Sequence, residues 1–255
     1  MKKRILSLVL VLAMLLGIVL TSTSCGMLYK MKANNAIKNT AKLEDYDVEY
    51  DLAMTVSVAG SKQKQKVSMD MLIDGDDGKE TICVSYDGTK TYFDGGDYAY
   101  VKYGEYGYKM DISDVSSRTD KELKSILVQL PNEAFKDAEY VNKKGVLTTN
   151  LSLDEDLFKD VYAEFINEFE EGMGESLSSS YGASLDDADY SDCDVTIVSE
   201  GKYLKEITLD FNIYLEVSGY DVTVGLVITL TFNNPGEDVE VNLPKGCKDW
   251  DELNY

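Results

Sequence analysis

Chemistry needs titratable or nucleophilic groups held at set spacings, and this chain of 255 residues offers few of them. It contains no histidine, which removes His-based triads, Cys-His dyads and most zinc sites. Ser-x-x-Lys occurs as Ser61-x-x-Lys64 and Ser199-x-x-Lys202. Both fall at expected hairpin turns, where an exposed lysine keeps its pKa near about 10 and cannot serve as a base. There are 46 acidic residues, but their spacing singles out no carboxylate pair for hydrolysis. Asp74-Gly75-Asp76-Asp77-Gly78 and Asp186-Asp187-x-Asp189-x-x-Asp192-x-Asp194 supply oxygen donors without the Asp-x-Asp-x-Asp-Gly spacing closed by a glutamate. The first reads as a turn, the second as a solvated loop or a weak calcium site. No catalytic centre, cofactor or metal site is expected.

The N-terminus carries a different kind of signal. Lys2, Lys3 and Arg4 precede an apolar run over residues 5–20, and Thr21-Ser22-Thr23-Ser24 lead into Cys25. A basic start, an apolar middle and small residues before a break describe a secretory signal peptide. The 16 apolar positions fall short of the roughly 20 a membrane span needs. The series resembles the lipobox of bacterial lipoproteins, with Ser22 standing where leucine is usual. That resemblance implies removal of residues 1–24, a fatty acid such as palmitate on the Cys25 sulfur, and tethering at the extracytoplasmic face of the cell membrane.

Without residues 1–24 the chain has 22 basic and 46 acidic residues, a net charge of −24. A polyanion of that size repels nucleic acid and gains nothing from an anionic lipid surface. Cys83, Cys193 and Cys247 then remain, so at most one intramolecular bridge can form. Counting through the turns places Cys193 near Thr208 and Thr229, three strands from Cys247. That separation exceeds the roughly 7 Å Cα limit for a disulfide unless the loop after Pro244 folds back.

The elements are legible from periodicity. Residues 203–217 and 220–232 alternate strictly, with Ile207, Leu209, Phe211, Ile213 and Leu215 on one face and Val222, Val224, Leu226, Ile228 and Leu230 answering them. Period two puts one apolar surface on one side, and Ser218-Gly219 joins the strands as a hairpin. At about 3.4 Å per residue each strand is about 40 Å or longer, as in a strongly curved sheet or barrel wall. Upstream, a meander of five strands runs from Val48 to Tyr103, with Met54, Val56, Met69 and Met71 on its apolar face. Ala33, Ile37 and Ala41 predict a short helix over 27–42 linking the anchor to the domain. Thr119-x-x-Glu122 and Ser152-x-x-Glu155 have the capping-box pattern and predict two more helices. Residues 139–151 form a short hairpin, 175–194 read as a mobile loop, and residues 239–243 read as a last strand.

The element order, Tyr86-Asp87-Gly88, and the ending Phe232-Asn233-Asn234…Val239…Val241…Leu243-Pro244 resemble the LolA-like lipoprotein-carrier superfamily and the related mycobacterial lipid-carrier lipoproteins. The resemblance spans roughly residues 36–250. It implies an α+β fold, a curved antiparallel sheet or half-open β-barrel with about three helices covering its apolar face. The expected organisation is a signal peptide over 1–24, a lipidated linker over 25–44 and a single domain over 45–255, as a monomer. The expected function is non-covalent binding of a lipid, acyl chain or lipidated partner, lined by Met54, Val56, Met69, Met71, Ile207, Leu209, Phe211, Ile213, Leu226 and Ile228. A filled core serving an envelope interaction or sensor role stays open beside it. Tyr98, Tyr100, Tyr103, Tyr106 and Tyr108 either line a headgroup or sugar entrance or pack. If the hairpin lines a cavity, Ile213→Ala costs about 1 kcal/mol rather than the 2–5 of a packed core.

Overall fold

The computed structural model describes residues 26–75, 80–112, 119–170, 188–217 and 219–253. The expected signal peptide, Cys25, Asp76–Asp77, Asp186–Asp187 and most of the expected loop over 175–194 lie outside the described residues.

After a helix over 26–40, α1, come six antiparallel strands: β1 (Tyr46–Val58), β2 (Ser61–Asp74), β3 (Thr81–Tyr86), β4 (Thr89–Phe93), β5 (Tyr98–Tyr103) and β6 (Tyr106–Asp111). Then follow α2 (Thr119–Ile126), β7 (Glu139–Lys143), β8 (Val146–Leu153), α3 (Glu155–Val161) and a helix over 163–170, α4. The chain closes with β9 (Asp189–Tyr190), β10 (Cys193–Glu200), β11 (Tyr203–Val217), β12 (Tyr220–Phe232) and β13 (Asp251–Glu252). Asp87-Gly88 and Lys144-Gly145 have positive φ at both central positions, the type I′ geometry whose twist matches the strands it joins.

All the strands belong to one sheet in the order β13-β6-β5-β4-β3-β2-β1-β12-β11-β10-β8-β7, with β9 extending the β10 row along β11. Among the described residues neither end of that order pairs with the other, and the sheet is a half-open barrel. Its centre is the triple β2-β1-β12, in which Tyr50 stands opposite both Met69 and Leu230, and Val48 opposite both Met71 and Phe232. The helices cover the apolar face, as the strand order implied.

Several local readings need correction. The helix over 26–40 is more than a link. Ala33, Ala36 and Ile37 are fully buried, and Thr40 Oγ1 accepts a hydrogen bond from Leu204 N at 2.9 Å. Asn34 satisfies both backbone groups of Leu130, at 2.8 and 3.0 Å. The cap of α3 is Asp154, whose side chain accepts from Leu157 N at 2.9 Å, because Ser152 is still within β8. A sixth meander strand, β6, follows Gly104. Residues 239–243 are not a strand. Their amides find carboxylates instead, Val239 N donating to Asp45 Oδ2 (3.4 Å) and Val241 N to Asp74 Oδ2 (3.1 Å), since β1 already has both neighbours. The end of the expected loop is ordered as β9, with Tyr190 buried. The turn pairs Glu200 with Tyr203 and a one-residue register shift follows between Val198 and Ser199, so Asp194 stands opposite Asp210 and Cys193 lies further along β11 than the turn count placed it. Cys83, Cys193 and Cys247 are all buried free thiols.

Candidate functional site

The concave face divides into a filled half and a hollow one. Over β8–β12 the helices bring aromatic side chains down onto the sheet. Phe158 of α3 meets Phe211 with ring centroids 4.9 Å apart, Phe165 of α4 meets the same ring edge-on at 6.4 Å, and Tyr190 stacks on it at 6.3 Å. Such offset and edge contacts add to simple area burial. Ile207, Leu209, Phe211, Ile213, Leu226 and Ile228 are each at most 1% exposed within this packing. Six of the ten expected lining residues therefore lie within this packing, away from the cavity under α2. Met54 and Val56 are half-buried further along β1, packed against the same core.

The hollow half lies over β1–β4 and beneath α2. A cavity of about 310 Å³ is lined by Tyr50, Met69, Met71, Val84, Thr91, Phe93 and Leu230 from the sheet and by Leu123 and Ile126 from α2. Three cross-strand rows build its floor. Tyr50 faces Met69 and Leu230, Met71 faces Val84 and then Thr91, and Phe93 follows Ile82 in the row beside. Two flexible thioethers lie side by side in a wall otherwise made of leucine, β-branched and aromatic groups, which suits an apolar guest of variable shape. Of the expected residues, Met69 and Met71 come together here. Tyr50, Val84, Thr91, Phe93, Leu123, Ile126 and Leu230 were not among them. Period two on β3 and β4 carried the signal for Val84, Thr91 and Phe93, but only the register shows which strands are neighbours.

Outside the cavity, the buried titratable groups of the filled half carry no sign of catalysis. Burial pushes the Cys193 thiol up to about 12, the reverse of what a reactive thiolate requires. Burial also raises Tyr162, and raises Tyr190 together with the Glu170 carboxylate that its hydroxyl contacts at 2.7 Å. Among the described residues, no group of three His, Cys, Asp or Glu side chains could hold a metal ion. Ser61 and Lys64 are exposed, while Ser199 is buried and the Lys202 ammonium lies 4.7 Å over the Tyr203 ring.

The tyrosine group separates by face. Tyr103, Tyr106 and Tyr108 share the concave side with the cavity rows and are exposed, and Tyr86 joins them. Tyr98 and Tyr100 point to the convex side, where Tyr100 forms a small second core with Cys83 and Cys247 beneath the C-terminal segment. That segment runs back along β6, pairing Asp251 with Tyr108 in parallel, and lays Trp250 on Gly107.

No protein-family model and no curated protein matches the chain. Among solved structures it is similar to a LolA superfamily protein from Nitrosomonas europaea, at 8% identity and TM-score 0.20 over 86% of this chain and 94% of that one. It is similar to an outer membrane lipoprotein-sorting protein domain from Vibrio parahaemolyticus, at 10% identity and TM-score 0.23 over 80% and 93%. It is also similar to lipovitellin, in a structure concerned with lipid–protein interactions, at 9% identity and TM-score 0.37; 78% of this chain is covered, but only 26% of that one.

Proposed function

We propose that this chain is an extracytoplasmic protein tethered to a membrane through lipid on Cys25, binding one lipid or acyl chain non-covalently in the cavity beneath α2, without a catalytic step. The observation that carries the reading is the cavity itself. Its volume of about 310 Å³ is at the small end of ligand sites, and Thr91 and Tyr50 provide the hydroxyls in an otherwise apolar wall. Holding a guest there requires only burial of apolar surface, at roughly 25 cal/mol per Å², and release requires only displacement of α2.

Native mass spectrometry of protein extracted from membranes tests this directly. The wild type should carry a co-purified lipid, and Met71→Trp, which fills the cavity from its floor, should lose most of that occupancy. A lipid-free wild type would favour the rival reading, an envelope interaction or sensor module acting through an outer surface, to which the filled half over β8–β12 is equally suited. The tether is tested separately. Cys25→Ala should abolish incorporation of a fatty-acid analogue and release the protein from the membrane fraction, and a variant that still takes up label would sink it.

A further inference from the structure

The inner side of α1 is fixed in the core, and its outer side is unlike the rest of the molecule. Residues 27, 31, 35 and 38 follow one another at spacings of three and four, with 28 and 32 alongside, so they share one outward face. On its first turns that face carries Met27, Leu28 and Met31, which are 68%, 55% and 53% exposed. Three large apolar side chains open to water on two helical turns need a partner. Behind them the same face carries Lys32 and Lys38, and Lys42 follows in the turn just past the helix, all exposed. Lys30 is engaged inward, donating to Asn132 Oδ1 and lying 5.5 Å over the Phe135 ring.

The charge is local and opposite to that of the chain. Residues 26–43 contain four lysines and no acid, in a protein of net charge −21. Charges interact over a Debye length of about 8 Å in physiological salt, so a surface meeting this face experiences its lysines first, with Glu44 just past Lys42 and Glu133 beside the Asn132 partner of Lys30 as neighbouring acids. The sequence places that surface as well. Cys25 directly precedes the described part of α1 and the apolar run over 5–20 lies five residues further upstream, so whatever holds the N-terminus at a membrane keeps this face close to the bilayer.

We infer that the outward face of α1 docks on an anionic bilayer surface, with Met27, Leu28 and Met31 seated at the acyl boundary and Lys32, Lys38 and Lys42 among the lipid phosphates. An exposed apolar stripe flanked by lysines is the composition of an interfacial helix. A polybasic patch is the kind of second signal that turns a marginal lipid anchor into a stable one. The docked helix also sets the orientation of the domain, because Asn34, Ala36, Ile37 and Thr40 lock its other side to Leu130 and the sheet.

The inference rests on the reading that the residues before Gly26 hold the chain at a membrane, yet the two can fail separately. A chain beginning at Gly26 keeps every described element and lacks both lipid and apolar run. It should sediment with vesicles of phosphatidylcholine mixed with phosphatidylglycerol, and much less with phosphatidylcholine alone. Lys32→Glu combined with Lys38→Glu should lower its partitioning by about tenfold or more, and Leu28→Asp combined with Met31→Asp should abolish it. Thermal midpoints should be unchanged, since all four side chains are exposed. The inference is overturned if the parent chain stays in the supernatant, binds both vesicle types equally, or is unaffected by the lysine reversals. Any of these outcomes leaves the Cys25 labelling result standing by itself.

Discussion

Phe211→Ala should remove about 3–5 kcal/mol of stability, the cost of deleting a large aromatic from a packed core. Phe211 is 1% exposed and touches the rings of Phe158, Phe165 and Tyr190, so no neighbour can collapse into the void without leaving its own partners. Against a total stability of roughly 5–15 kcal/mol, that loss brings the domain near its unfolding threshold. Ile213, equally buried in the same half, should carry the full 2–5 kcal/mol penalty rather than the mild one expected of a cavity wall. Met69→Ala, facing the hollow half, should fall at the low end, about 2 kcal/mol, since part of its surface already has no packing partner. Urea denaturation of the three variants separates the halves. A Phe211→Ala midpoint indistinguishable from that of Met69→Ala would contradict the division of the sheet.

Gly107→Ala should undock the C-terminal segment. A Cβ at this position would lie 2.4–2.6 Å from three ring atoms of Trp250, closer than any real contact, and the ring must move. Overpacking of this kind costs about 1–3 kcal/mol, but its reach is wider than the figure suggests, because Trp250 holds down the segment that buries Cys247 and Tyr100. In a chain beginning at Gly26, Cys83 and Cys247 should become accessible to thiol reagents under native conditions while Cys193, in the other core, stays protected. Emission from Trp250, the chain's one tryptophan, should shift to the red. Wild-type labelling rates together with unshifted emission would show that the ring and its segment are held by something other than their fit to Gly107.

Periodicity reached the long strands almost to the residue, because alternation over a dozen positions cannot be satisfied in another register without turning the apolar set to water. It failed where partners are side chains. The segment over 239–243 alternates like a strand, yet its amides bond to Asp45 and Asp74. Ser152 fits a capping box, but β8 runs on to Leu153 and leaves Asp154 as the cap. The division of the concave face was hidden for a related reason. The stripe of Phe158, Tyr162, Phe165 and Phe169 is plain in the sequence, but only its position over β11 shows that it fills that half. Met69 and Met71 were visible as flexible apolar groups. The remainder of the cavity comes from Tyr50 and Leu230 on the neighbouring strands β1 and β12 and from β3, β4 and α2, which the sequence does not order in space.

The pairing of β1 with β12 has a kinetic consequence. Val48 stands opposite Phe232, so the two strands at the middle of the sheet come from opposite ends of the chain, and Thr40 of α1 bonds to Leu204. A chain emerging N-terminus first from a ribosome or a translocation pore can form the β1–β6 hairpins early, but it cannot complete the central triple until residue 232 has passed. Such high contact order slows folding. Under the proposed export, that delay would help keep the chain open during the crossing.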